Sequence, residues 1–322
     1  MNMENTHEKW QHSLRGGLIK GWNGYLWMLK IIVPISLGTS LLTWSGWLNR
    51  LDFILEPAMG VIGLPPMAAL PLFVGLLTGT YGAIAAMAPL PLTVDQMTLL
   101  AIFLLISHSL LQEGVVQDQS GLSFWKATLI RLTASTLTVM AVSPFVQPAT
   151  ASAAAEYTMI ADHTPLLEML QSWGLGTLVL AAKILVIIIP LMIFLEVIKN
   201  GRLTKGIVGL LGPVLKTLGL GRQTGFLWLT AAIFGLTYGA AVIVEEVKEG
   251  KIDRDQLTRL QLSIGINHAM IEDTLVFMSL GLGLWWMCLP RVAAAIITVQ
   301  AFLLFRRLAA LPGCTTLKQS PK

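Results

Sequence analysis

Long apolar runs separated by short polar stretches dominate the chain. A helix that crosses a bilayer needs about 20 mostly apolar residues. Segments near 22–48, 95–117, 122–147, 174–199, 260–282 and 286–307 meet that length. Two further apolar stretches, 67–93 and 223–247, are interrupted by small residues: Gly75, Gly79, Thr80, Tyr81 and Gly82 in the first, and Gly235, Thr237, Tyr238 and Gly239 in the second. Gly and Pro weaken a continuous helix and free backbone groups for other partners. These two stretches therefore read as broken, re-entrant segments. Each follows an amphipathic stretch, 50–63 or 201–219, suited to the membrane interface.

The pattern repeats. Pro34 and Pro57 have the same spacing as Pro190 and Pro213, and Gly63-Leu64 matches Gly219-Leu220 at that offset. Thr80-Tyr81-Gly82 matches Thr237-Tyr238-Gly239 one residue later, and Asp95-Gln96 matches Asp255-Gln256 after a further shift. At that last offset Ser107-His108 falls on Asn267-His268, and Gln112-Glu113 falls on Glu272-Asp273. The expected organisation is an N-terminal segment 1–21, a first repeat 22–147, a linker 148–173, a second repeat 174–307 and a tail 308–322.

Charge gives the orientation. The stretch 199–222 carries Lys199, Arg202, Lys205, Lys216 and Arg222 with no acid, whereas the linker carries Glu156, Asp162 and Glu168 with no Lys or Arg. Cytoplasmic loops are enriched in Lys and Arg. Both features agree when each half has three spans plus a re-entrant segment, which inserts the halves with opposite orientation and leaves both termini cytoplasmic. The expected fold class is all-α and polytopic transmembrane, two inverted repeats of three spanning helices each with a broken segment. Inverted repeats with discontinuous helices recur in secondary transporters.

Composition agrees with this reading. Hydrophobic residues make up 54% and charged residues 12% of the 322 residues, against about 25% charged in a typical soluble domain. Such a chain has too little polar surface to face water all round. The net charge of +4 comes from basic residues flanking apolar spans, so no nucleic-acid partner is expected. The polar N-terminus lacks the features of a cleaved signal peptide. Cys288 and Cys314 form neither a disulfide framework nor a metal motif.

The chemistry concentrates at the paired histidines. Ionisable groups inside a membrane are costly and face the bundle interior or each other. The i,i+4 spacing puts His268 and Glu272 on one helix face, and His108 with Gln112 on another. Glu113 and Asp273, five residues on, lie about 140° round the helix. Together with Asn267 these residues read as a substrate or ion path, with His268 and Glu272 as metal candidates; the competing reading is a hydrogen-bond network that fixes helix packing. Thr80, Tyr81, Gly82, Thr237, Tyr238 and Gly239 form the second candidate set, because unwound backbone at a re-entrant tip binds ions. The competing reading there is close helix packing by glycine. Asp95 and Asp255 are expected to cap the helices that follow.

Phe234-Gly235-Leu236-Thr237-Tyr238-Gly239 and Asn267-His268-Ala269-Met270-Ile271-Glu272-Asp273-Thr274, in the order helix, interfacial helix, broken segment and polar-centred helix, resemble the nucleoside-recognition, or Gate-domain, membrane proteins. The resemblance covers about residues 25–305. It implies kinship of architecture with concentrative nucleoside transporters and with the membrane part of ferrous-iron transporters, and a solute path where the broken segments meet. The chain departs from both relatives. It has no GTP-binding domain, no Cys in either broken segment, and no acidic or Asn residue in 75–87 or 233–243. The expected function is a cell-membrane permease for a small solute or cation, nucleoside and divalent metal included, with proton coupling open. The partners are then the lipid bilayer and a small solute or ion. A non-transporting membrane partner subunit and an intramembrane metalloenzyme using His268, Glu272 and Asp273 are the alternative functions, and a homo-oligomer or a membrane partner is open among the partners. No phosphate loop, dinucleotide fingerprint or nucleophile elbow is present, so neither an enzyme nor a resident cofactor is expected.

Overall fold

A computed structural model describes residues 3–146, 164–200, 209–249 and 252–309. These are all-α, with no strand among them. Helix α1 (Met3–Trp44) leads through a 3-10 turn (Leu48–Leu51) into the short α2 (Asp52–Gly60). Then come α3 (Ala69–Thr78), α4 (Thr80–Met87), α5 (Val94–Ser107), α6 (Leu110–Gln119) and α7 (Phe124–Val146). The second half runs through α8 (Leu166–Asn200), α9 (Gly212–Thr217), α10 (Arg222–Phe234), α11 (Leu236–Lys248), α12 (Arg254–Asn267), α13 (Glu272–Met278) and α14 (Leu284–Ala309). Most of the expected linker, residues 201–208 of the expected interfacial stretch and the C-terminal tail lie outside the described residues.

Five helical stretches among the described residues are long and apolar enough to cross a membrane: Ser13–Trp44, Val94–Gln119 (α5 and α6 taken across the break at His108 and Ser109), Phe124–Val146, Leu166–Ile198 and Leu284–Leu308. Four present mostly exposed apolar surface, while Val94–Gln119 is largely enclosed. Residues such as Trp125, Leu178, Val186 and Ile297 are exposed, a surface that suits lipid and not water. The expected span at 260–282 differs from the structure. It divides into α12 and α13, and α12 carries Gln261, Ser263 and Asn267 in place of a continuous apolar face. All three are completely enclosed by protein. Burial explains why a polar helix is tolerated there: its neighbours, not lipid, satisfy it. Gln117 Nε2 donates to the Gln261 carbonyl at 2.9 Å, and Gln261 Nε2 donates to Ser120 Oγ at 2.8 Å.

The interrupted apolar stretches are helical hairpins. A side-chain carbon added at Gly75 would lie 2.8 Å from Ala83 Cβ, and one added at Gly239 would lie 2.5 Å from Ala231 Cβ. Residues eight apart in a straight helix are about 12 Å apart along its axis, so the chain doubles back at Gly79 and Gly235. Both glycines take a backbone conformation closed to other residues, φ 96° with ψ −170° and φ 86° with ψ 167°. No single arm reaches the length of a span.

Helices α1 and α8 pack antiparallel. Gly17 meets Ile193, Trp173 donates to Ser36 Oγ at 3.1 Å, and Trp44 donates to the Thr164 carbonyl at 2.9 Å. Gly17 and Gly21 bring the backbones together: an added carbon at Gly17 would lie 2.5 Å from Ile193 Cα. Small residues four apart are a recurrent device for close membrane-helix packing. The N-caps differ from expectation. Thr93 forms a capping box with Gln96, and Asp253 accepts from the amides of Asp255 and Gln256. Asp95 and Asp255 sit in the first turn instead, where a carboxylate favours the helix dipole.

Candidate functional site

The long apolar helix of the first half stops at Ser107 and restarts at Leu110. In the second half α12 stops at Asn267, and α13 starts at Glu272. His108 and His268 are therefore C-caps with extended backbone, and not helix-interior residues as their sequence setting predicts. The residues after them, Ser109 and Ala269, occupy the left-handed region at φ 47° and 45°. Non-glycine residues rarely do so, and such strain concentrates at functional sites. Each break is anchored on a hairpin: the Ser109 amide donates to the Gly75 carbonyl at 3.0 Å, and the Ala269 amide to the Ala231 carbonyl at 3.1 Å.

Ending a helix inside an apolar bundle exposes carbonyl groups that need partners. Two buried arginines supply them. Arg131 of α7 donates Nε to the Ile106 carbonyl at 2.9 Å and Nη2 to the His108 carbonyl at 2.7 Å. Arg291 of α14 does the same for Ile266 at 3.2 Å and His268 at 2.7 Å. Their exposures are 2% and 0%, so neither reaches water to solvate its charge. Arg131 also meets Glu113 Oε2 at 2.6 Å.

The imidazoles then face one another across the two halves. Each Nδ1 lies 2.9 Å from the carbonyl four residues earlier, Leu104 for His108 and Ile264 for His268. A carbonyl only accepts, so both Nδ1 atoms carry hydrogen and both Nε2 atoms point inward. The Nε2 atoms are 3.3 Å apart. Glu113 Oε1 lies 3.0 Å from one and 2.9 Å from the other. Asp273 Oδ2 is 3.5 Å from His108 Nε2, and its Oδ1 accepts from the Thr80 hydroxyl at 3.2 Å. Tyr81 donates its hydroxyl to Glu272 Oε1.

Of the residues marked in the sequence, His108, Glu113, His268 and Asp273 converge, and Thr80, Tyr81 and Glu272 border them. The expected His268–Glu272 helical face does not form, because the helix breaks between them and Glu272 turns to Tyr81 of the first hairpin. Gln112 is exposed, on the side of α6 away from the cluster. Asn267 is fully buried, and neither amide atom has a hydrogen-bond partner among the described residues. Gly82 and Gly239 are buried where a side chain would collide with Thr78 and Ala231, so both serve close packing. The side chains of Thr237 and Tyr238 lie outside the described residues. The Thr-Tyr-Gly match is one residue out of register with the backbone, since Gly79 pairs with Gly235 by conformation and Gly82 then corresponds to Tyr238.

Arg131 and Arg291 were not singled out by sequence reasoning. The signal that finds them is their spacing from the histidines: Arg131 follows His108 by the 23 residues that separate Arg291 from His268.

Residues 25–155 match the Gate family, described as nucleoside recognition. The chain is 28% identical over 291 residues to the uncharacterized membrane protein YvoD of Bacillus subtilis (strain 168), covering 88% of this chain and 92% of that protein. No solved structure matches it. His108, Glu113 and Arg131 fall within the Gate match, while His268, Asp273 and Arg291 lie beyond it. Residues 25–155 are thus similar to the Gate, or nucleoside-recognition, domain, within a multi-pass membrane protein whose second half completes the same buried cluster.

Proposed function

We propose that this protein is a permease of the cell membrane that moves a small solute or cation through the place where its two broken helix pairs meet. One observation carries the reading: the helix breaks at His108 and His268, one from each half and each anchored on a hairpin, gather ionisable groups at a single enclosed point of an otherwise apolar bundle. Buried charge in a membrane protein is expensive, and it marks ion and substrate paths. The antiparallel α1–α8 pair supports opposite insertion of the halves, with both termini cytoplasmic. The basic stretch 199–222 then faces the cytoplasm. No catalytic step is assigned to the cluster.

A second reading, a membrane partner subunit without turnover, draws on the two arginines. Both are committed to backbone carbonyls, as expected of groups that hold an assembly together. Uptake into proteoliposomes with a panel of nucleosides, divalent metals and small anions separates the two. The permease reading expects uptake of at least one class, abolished by His108→Ala and by His268→Ala while folded protein remains in the membrane. Failure across the whole panel, with folded wild-type protein, favours the partner subunit.

A further inference from the structure

The Nε2 atoms of His108 and His268 meet a crowd of acceptors. With hydrogen on each Nδ1, a neutral imidazole presents only a lone pair at Nε2. Two lone pairs 3.3 Å apart then face each other and the Glu113 Oε1 oxygen, itself an acceptor. Asp273 adds a further acceptor 3.5 Å from His108 Nε2. All four groups are buried, so bulk water does not relieve the repulsion. Such a convergence of acceptors is stabilised by a positive guest at its centre, a proton on one Nε2 or a metal ion held by both.

We infer that His108, His268 and Asp273, with Glu113 Oε1 beside them, form a binding site for a divalent first-row transition-metal ion. Ligand atoms of His108, His268 and Asp273 lie within 4.8 Å of one another. A tetrahedral ion with metal–nitrogen bonds of about 2.0–2.1 Å holds its ligand atoms about 3.3–3.4 Å apart, and the two Nε2 atoms already stand at 3.3 Å. Imidazole nitrogen with carboxylate oxygen is a donor set for ions of the zinc, cobalt or manganese kind, not for calcium or magnesium alone. The outer contacts are those of metal-binding histidines: each Nδ1–H is held by a backbone carbonyl, which orients the ring and fixes its tautomer. Arg131 holds the other oxygen of Glu113 and keeps Oε1 turned toward the ring nitrogens. The two halves contribute one histidine and one carboxylate each, so the site exists only when they are together. Glu272 is excluded from the ligand set by its bond to Tyr81.

The inference rests on the permease reading only for its role as cargo or coupling ion; binding itself stands apart from transport. The test uses tag-free full-length protein in detergent, titrated with Co2+ and followed by visible absorption, with Zn2+ as competitor and metal content measured after dialysis. One equivalent of Co2+ with the intense absorption of a tetrahedral ion, displaced by Zn2+, is expected. His268→Gln and Asp273→Asn should each weaken binding at least tenfold, while Glu272→Gln keeps wild-type affinity. Size-exclusion profiles establish which variants are folded, and the wild-type spectrum decides if neither ligand variant is. Substoichiometric binding by the wild type at 100-fold excess metal overturns the inference, as does a folded His268→Gln protein with unchanged affinity. Metal binding without uptake of any solute overturns the permease and leaves the site; uptake of a solute without metal binding does the reverse.

Discussion

Arg131 holds three acceptors at once, the carbonyls of Ile106 and His108 and the Glu113 carboxylate. Removing one partner of a buried ion pair leaves an uncompensated charge, at a cost of about 3–5 kcal/mol. Arg131→Ala should therefore lower the unfolding temperature sharply in detergent. Arg131→Lys should not restore it, because an ammonium lacks the planar fork that spans two carbonyls and a carboxylate. A lysine variant as stable as wild type would show that charge alone, and not the fork, holds the break. The same residue positions Glu113 between the histidines, so its structural and chemical roles coincide.

At the scale of elements, closeness of backbones decides the packing. Gly17 and Gly21 let α1 lie against Ile193 and Ile189 of α8. A side chain at Gly17 has nowhere to go, and overpacking costs about 1–3 kcal/mol. Gly17→Leu should lower stability by that amount, whereas Gly24→Leu, on a face with nothing within 4 Å, should change it little. Equal effects of the two in thermal unfolding would remove the α1–α8 contact as a source of stability. The hairpins follow the same logic, since Gly75 and Gly239 lie where the returning arm passes. The breaks at His108 and His268 have another cause: an arginine from the next long helix takes the carbonyls that a continuing helix would have used.

The whole molecule carries the same backbone devices in both halves. Positive-φ glycines recur at Gly63 and Gly219, at Gly79 and Gly235, and at Gly121 and Gly281. The spacing changes between the second and third pairs, where α4 has 8 residues and α11 has 13. The antiparallel α1–α8 pair places Trp44 and Trp173 at one end and the Lys20–Glu196 ion pair, 2.5 Å, at the other. The proposed orientation puts the Lys20 end on the cytoplasmic side, where basic residues are enriched. Reporter fusions at residues 160 and 210 should accordingly lie on opposite sides, outside and inside. The reverse arrangement, or a shared side, would reject opposite insertion of the halves.

The fold class was legible along the chain, because burial in lipid requires long apolar runs and closed backbone hydrogen bonding. The small-residue interruptions at 75–82 and 235–239 were legible for a related reason: few residues besides glycine allow both a sharp reversal and close packing. His108, Glu113, His268 and Asp273 were legible as ionisable groups in apolar surroundings. Their partners were not. A helical reading paired His268 with Glu272, but the tertiary structure pairs it with Glu113 across the molecule, because a broken helix no longer obeys the i,i+4 rule. Arg131 and Arg291 looked like ordinary residues of long helices until the ends of other helices were brought to them. Periodicity describes continuous elements; where elements stop inside the bundle, only the tertiary structure decides which side chains satisfy the freed backbone, and so which groups meet.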